Sequence, residues 1–324
     1  MASISMKKVS ELSGVSIATV SRVINNNGRF SRATRDNVVA VIKELGYTPN
    51  FMARALRTNK TRNIGVIVPD ITNEFFAKLT LYIQQALFEE NYSTIIYNTD
   101  ENKDLEERHI QALTAQSVSG IIFISGGGYS VNIPEVPTIF LDRKPRLKDK
   151  NNYIQIRTDH FMGGYKAGEL LQKLGCKKPG IVKGPKIFSQ QERLRGFLAS
   201  FTGKKSDIPV VAVEKVDYDS AHNVLSQMLG RGLHGDGYFC TTDWIAMGVM
   251  HALEERKIKI PEQVKLVGFD DISIAACSGL TTIHQDIKGM AETAASFMLD
   301  ILNGREVEER EYVFDSVMVR RKTA

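Results

Sequence analysis

Ser5-Met6-Lys7-Lys8-Val9-Ser10-Glu11-Leu12-Ser13-Gly14-Val15-Ser16-Ile17-Ala18-Thr19-Val20-Ser21-Arg22-Val23-Ile24-Asn25 reads as two short amphipathic helices hinged on a single glycine. Met6, Val9 and Leu12 recur at three-residue steps and predict the inward face of a first helix. Gly14 permits the sharp turn, and Ser16 is placed to cap a second helix that carries Val20, Val23 and Ile24 inward. What stays outward is Ile17, Ala18, Thr19, Ser21 and Arg22. A helix whose exposed side is short, hydroxylated and cationic suits the major groove of DNA, where small residues allow close approach and an arginine reaches the guanine edge. The plain alternative is a surface helical hairpin in an ordinary domain.

Charge separates the two. Residues 1–62 hold 11 Lys and Arg against three acids, a net of +8, and the rest of the chain holds 31 against 34, a net of −3. The whole-chain +5 therefore conceals a basic head on a mildly acidic body, and a basic block coinciding with a reading helix is the electrostatic footprint of a phosphate backbone. The 324 residues are 43% hydrophobic and 24% charged, the make-up of a globular protein with room for two or three domains. The first eight residues have no apolar run able to act as a signal peptide and no stretch of about 18 apolar residues follows, which predicts a cytoplasmic, nucleoid-associated protein. Cys176, Cys240 and Cys277 are odd in number and far apart, so reduced thiols are expected, with no disulfide and no structural zinc.

Working outward, Ser31 caps a third predicted helix with Val38, Val41, Ile42 and Leu45 on one stripe and Gly46 as its stop. Residues 47–61 then form a basic linker with one short helix starting near Pro49. A helix of about eight residues is unstable alone in water, so it is expected to order only against a partner such as DNA. From Ile64 the texture changes to apolar strands alternating with amphipathic helices. Strands are predicted at 64–70, 94–98, 120–124, 138–141, 179–182, 210–213, 237–240 and 264–269, with a last one over 312–319 and helices over 75–89 and 104–116 among those between. This alternation makes parallel α/β sheets, which bind ligands at the carboxyl ends of their strands. About 260 residues exceed one such sheet, so two lobes with a cleft are expected.

Five blocks resemble the lactose/galactose repressor family of bacterial transcription regulators. They are Val15 to Asn25; Gly46-Tyr47-Thr48-Pro49-Asn50 with Ala53-Arg54-Ala55-Leu56; Ile64 to Asp70 leading to Asn73-Glu74-Phe75-Phe76; Glu192-Arg193-Leu194-Arg195-Gly196-Phe197; and Val267-Gly268-Phe269-Asp270-Asp271. The resemblance spans essentially the whole chain and looks most like sucrose and ribose repressors. It implies an all-α helix-turn-helix head (1–47), a hinge helix or linker (48–61) and a two-lobed, periplasmic-binding-protein-like α/β core (62–324). The first lobe would comprise about 62–157 and 288–316, the second about 158–287 and 317–324, joined by three crossovers.

For the head, the resemblance implies that Ile17, Ala18 and Arg22 read bases, while Ser16, Thr19, Ser21, Asn25 and Arg29 lie on phosphates or base edges. Leu56 matches the family's minor-groove wedge, with Asn50 and Ala53 as neighbouring contacts. The operator would be a palindromic duplex read by a homodimer. For the cleft it implies Phe75, Phe76, Asp142, Arg193, Tyr218 and Asp270 as effector contacts. Aromatic faces and charged forks of this kind suit a sugar. Ser189 and Gln191, read as a loop before Arg193, would add polar contacts, and Trp244 would either stack on a sugar ring or cover the cleft floor. Two departures bear on the effector: Asn73-Glu74 stands where many relatives have Asn-Pro, and Thr242-Asp243-Trp244 where many have Asn-Asp. A sugar or sugar phosphate in the cleft would control operator affinity allosterically, with the short linker helix as the bistable element.

An enzyme is disfavoured. Gly126-Gly127-Gly128 lacks a following Gly-Lys-Ser, Gly203-Lys204-Lys205-Ser206 has Leu198 where a phosphate loop needs glycine, and no Gly-x-Ser-x-Gly elbow surrounds Ser125. The six histidines form no His-Glu-x-x-His pair, and no cofactor or metal is expected. Two rivals stay open: a regulator of the same family using a phosphocarrier corepressor, and a sugar receptor protein, against which the basic head argues. The five residues after 319 are too short for a tetramerising coiled coil, which points to a dimer.

Overall fold

A computed structural model describes residues 5–24, 27–47, 61–124, 135–142, 144, 153–202, 207–232 and 235–324. The chain divides into two units, Met1–Thr61 and Arg62–Ala324. The first is built from α1 (Met6–Ser13), α2 (Ile17–Ile24) and α3 (Arg32–Leu45). Each start is capped by a serine: Ser5 Oγ accepts from Lys8 N at 3.3 Å, Ser16 Oγ from Thr19 N at 3.1 Å and Ser31 Oγ from Thr34 N at 3.1 Å. Gly14 ends α1 at φ 69°, a conformation costly for any residue with a Cβ. Val9, Val20, Val23, Val38 and Tyr47 form the small core, and Asn37 Nδ2 donates to Ser13 O at 2.8 Å to tie α3 to the end of α1. Leu12 departs from expectation, being 54% exposed while Ser13 is buried. A strict three-residue step falls behind the 3.6-residue turn, so the residue four after Val9 shares its inward face.

The second unit holds two six-stranded sheets. The first contains β1 (Asn63–Val68), β2 (Ser93–Asn98), β3 (Gly120–Phe123), β4 (Thr138–Leu141), β5 (Ile154–Thr158) and β11 (Glu311–Phe314), in the order β11-β5-β4-β3-β1-β2. All its pairings are parallel. Against it lie α4 (Glu74–Glu89), α5 (Lys103–Ala115) and α11 (Ile287–Leu302). Side chains alternate across the sheet: Ile64, Val66 and Val68 enter the core with Leu79, Ile83 and Met290, while Ile67 enters the opposite one with Leu113, Phe123 and Phe140.

The second sheet contains β6 (Pro179–Lys183), β7 (Val210–Ala212), β8 (Gly237–Cys240), β9 (Lys265–Asp270), β10 (Thr281–His284) and β12 (Val317–Val319), ordered β12-β10-β9-β8-β6-β7. Only β12 is antiparallel to its neighbour. Its helices are α6 (His160–Lys173), α7 (Phe188–Ser200), α8 (Tyr218–Gly230), α9 (Asp243–Glu255) and α10 (Ser273–Ser278). The chain passes between sheets after β5, after β10 and between β11 and β12. The expected single strand over 312–319 is therefore two short strands in different sheets. Two further strands, β5 and β10, were not anticipated: Gln155, Thr281 and Thr282 are polar, yet fully enclosed.

Gly164 and Gly196 allow α6 and α7 to meet backbone to backbone, since a Cβ on either would overlap a carbonyl of the facing helix. That approach brings Arg193 on α7 next to His160 at the start of α6.

Candidate functional site

In the head, the reading face of α2 is open: Ile17 is 45% exposed, and Ser16, Ala18 and Arg22 are exposed as well. Ile17 thus does not pack inward. Thr19 and Ser21 are half-buried, and Ser16 Oγ is engaged in the helix cap and with Thr19 Oγ1 at 2.9 Å. The stem of Arg22 runs over Gly28, whose added Cβ would sit 3.2 Å from Arg22 Cδ. Arg29 is exposed. Asn25, Asn50, Ala53 and Leu56 lie outside the described residues.

In the body, the chemistry collects at the carboxyl ends of the strands, as parallel α/β sheets require. A small cavity is bordered by Asn73, Phe75 and Phe76 at the start of α4, by Glu101, Ile124 and Asp142 of the same lobe, and by Ile187, Ser189, Gln190, Arg193, Val216, Thr242 and Asp270 of the other. Six of the eight expected effector positions meet there. Ser189 and Gln191 lie on the first turns of α7 rather than in a loop, and Ser189 and Gln190, not Gln191, border the cavity. Phe75 and Phe76 meet edge to face at 5.2 Å, Phe75 being the deeper.

Arg193 is the hub. It is 2% exposed; its Nη1 donates to Thr241 O at 2.6 Å and to Asp270 Oδ1 at 3.4 Å, and its guanidinium lies 3.7 Å from the centre of the Phe269 ring. Arg193 Nε donates to His160 Nδ1 at 3.4 Å. A guanidinium can only donate, so Nδ1 must accept and the proton of the neutral imidazole sits on Nε2. Burial holds the His160 pKa below its ordinary value, partly countered by Asp142. Nε2 faces Asp142 Oδ1 at 2.7 Å.

Burial pushes the Asp270 carboxyl up to about 7, against the pull of the Arg193 guanidinium, with the Asp142 charge adding to the rise. Asp270 Oδ1 also accepts from Gln285 Nε2 at 2.7 Å, and Asp270 sits at φ 116°. Deeper still, Asp243 accepts from Thr282 Oγ1 at 2.6 Å and Ile272 N at 3.0 Å; burial, then the Asp270 charge, raise its pKa well above the carboxylate range. His160, Gln190, Thr241 and Gln285 were not singled out from sequence. Only Thr241 carries a positional signal, directly following the expected strand at 237–240; His160 and Gln285 follow the unannounced strands β5 and β10, and Gln190 lies within α7.

Two expected contacts lie elsewhere. Tyr218 stacks on His222, with ring centres 5.9 Å apart, and contacts His251. Trp244 is not among the residues that border the cavity and packs, half-buried, against the core of the first lobe. A polar contact also spans the two lobes: Ser273 N and Oγ at the start of α10 donate to Glu74 at 2.5–3.1 Å, and Lys78 Nζ lies 2.5 Å from the same carboxylate. Burial alone would raise the Glu74 pKa, but the hydrogen bonds from Lys78 and Ser273 more than offset this and lower it. Glu74 is one of the two departures from the family pattern. Among the described residues, no helix is long and apolar enough to cross a membrane.

Comparison with known proteins agrees with this arrangement. Residues 5–50 match the family described as bacterial regulatory proteins, lacI family, and residues 169–324 match the periplasmic binding protein-like domain. The sucrose operon repressor of Pediococcus pentosaceus is 32% identical over 91% of both chains. The ribose operon repressor of Escherichia coli (strain K12) is 28% identical over 98% of this chain and 99% of its own. A crystal structure of the lac repressor dimer bound to operator and the anti-inducer ONPF superposes with a TM-score of 0.85, at 26% identity and 99% coverage of each chain.

Proposed function

The chain belongs to the lacI family of bacterial regulatory proteins, and we propose that it is a homodimeric repressor of a carbohydrate-utilisation operon, holding a palindromic operator under the control of a neutral sugar in the cleft. The observation that carries this reading is the Arg193 hub. One buried guanidinium, aligned by His160, Asp270 and Thr241, borders a cavity that also presents Phe76 and the Asp142 carboxylate. An aromatic side chain meets the apolar face of a sugar ring, and carboxylates accept from its hydroxyls.

Charge narrows the ligand. The described residues bordering the cavity include three acids, Glu101, Asp142 and Asp270, against one cation, and that cation is already engaged by Thr241, Asp270, His160 and Phe269. A phosphate group would add negative charge beside these carboxyl groups whereas an uncharged polyol adds none, so the polyol is favoured. No catalytic step is assigned to these groups. Contacts from both lobes border the ligand, so occupancy biases the pose of one lobe against the other, and operator affinity follows by linkage.

The test is fluorescence anisotropy of the full chain on duplexes selected from random sequence, repeated with unphosphorylated and phosphorylated sugars. Salt-sensitive, palindrome-selective binding that neutral sugars alter is the expected result. Binding without sequence preference, or unmoved by every sugar, would overturn it.

A further inference from the structure

Away from the cleft, α8 and α9 bring together a set of groups that the regulatory reading does not use. α8 carries Tyr218 and His222, and α9 carries His251 and Glu255. His222 Nε2 lies 3.0 Å from Glu255 Oε2, and His251 Nε2 lies 3.8 Å from Glu255 Oε1. One donor atom from each of the three falls within 4.8 Å of the other two. Bonds of about 2.0–2.2 Å in a tetrahedral zinc site place donor atoms roughly 3.4 Å apart, so these separations bracket the required span. The side chains are 22%, 50% and 48% exposed for His222, His251 and Glu255, open to an ion from solvent.

His251 and Glu255 stand four residues apart on one helical face, and the third donor comes from the neighbouring helix. That is why a search for His-Glu-x-x-His finds nothing. Tyr218 Oη contacts His251 Nδ1, the ring nitrogen not turned toward Glu255. An imidazole that binds a metal through one nitrogen is oriented, and made more basic, when its other N–H donates to an oxygen. Imidazole–carboxylate pairing alone needs no such third partner.

We propose that His222, His251 and Glu255 form a transition-metal site, with Zn²⁺ as its ion, water in the remaining position and Tyr218 as the positioning residue for His251. Two imidazoles and one carboxylate select zinc, nickel or copper over magnesium and calcium, which take oxygen donors. The bound ion cross-braces α8 and α9 within the second lobe.

The experiment uses the full chain, stripped with chelator and dialysed, titrated with zinc alone by calorimetry and with cobalt by visible absorption. Expected are one saturable zinc per chain, a higher thermal midpoint in zinc and the absorption bands of nitrogen- and oxygen-bound cobalt. His222→Gln and His251→Gln should abolish saturable binding while circular dichroism stays native. Tyr218→Phe should keep the stoichiometry and weaken affinity by about tenfold. His109→Ala and His284→Ala should bind as the wild type does. The proposal is overturned if the wild type shows no saturable zinc binding, or if binding survives both His222→Gln and His251→Gln.

Discussion

In the head, the side chains offered to a partner stand on the exposed face of one eight-residue helix, Ile17–Ile24, over a core of five residues. In the body, the groups offered to a ligand come from the ends of several strands and converge, almost fully buried, on Arg193. Exposed groups separated by solvent act nearly independently, whereas a buried network of charges and hydrogen bonds stands or falls as a unit. Substitutions in the head should therefore be graded and local, and those around Arg193 large and coupled.

The strongest way to break that contrast is Arg193→Ala. It removes the buried cation paired with Asp270, which keeps only its Gln285 donor, and takes the Arg193 donor from Thr241 O; breaking a buried pair from one side costs about 3–5 kcal/mol. Urea denaturation of the full chain should show a loss of that order in the body, together with loss of sugar binding. A change under about 1 kcal/mol would mean that the hub is not a unit.

A pH series sharpens the same point. Asp270, with its pKa raised to about 7 from 3.8, holds its proton more tightly folded than unfolded, and Asp243 shifts in the same direction. The stability this contributes is complete below about 3.8 and is lost as pH rises through about 7. Denaturation midpoints should fall across that window, and Asp270→Asn should flatten the slope.

Smaller effects belong to the head. Arg22→Ala should remove about 1–3 kcal/mol of discrimination at one base pair, measured by anisotropy on single-substituted operators, with sugar affinity unchanged. Ser31→Ala should cost about 1 kcal/mol of head stability through the lost cap on Thr34 N, read by thermal denaturation of the head's helical signal. Least costly to stability is Glu74→Ala. The Glu74–Lys78 pair is partly exposed, so its removal should cost below about 1 kcal/mol. Its mark should instead be an altered sugar affinity in calorimetry, because Glu74 joins the two lobes.

The head was the more legible of the two regions. Caps at Ser16 and Ser31 and the stops at Gly14 and Gly46 act within a few residues, so they appear in the sequence at the spacing they keep in the fold. Leu12 misled because a three-residue recurrence imitates an inward face without following the helical turn. In the body, strand–helix alternation announced the fold class, yet β5 and β10 escaped notice because enclosed polar residues in short strands carry no hydrophobic pattern. The resemblance supplied Asp142, Arg193 and Asp270. It did not supply His160 or Gln285, which complete their hydrogen bonds, and it directed Tyr218 to the cleft when its ring lies with His222 and His251.

By itself, then, the sequence determined the helix-turn-helix, the charge division between head and body, the alternating α/β class and the family. The assembly of the Arg193 hub, the division of 312–319 between two sheets, the Glu74–Ser273 bridge and the His222–His251–Glu255 cluster were decided only by tertiary structure. The reason is range. Caps, turns and periodicity are set by neighbours along the chain, while the partner of a buried charge is set by strand order and helix approach, which join residues that no local spacing relates.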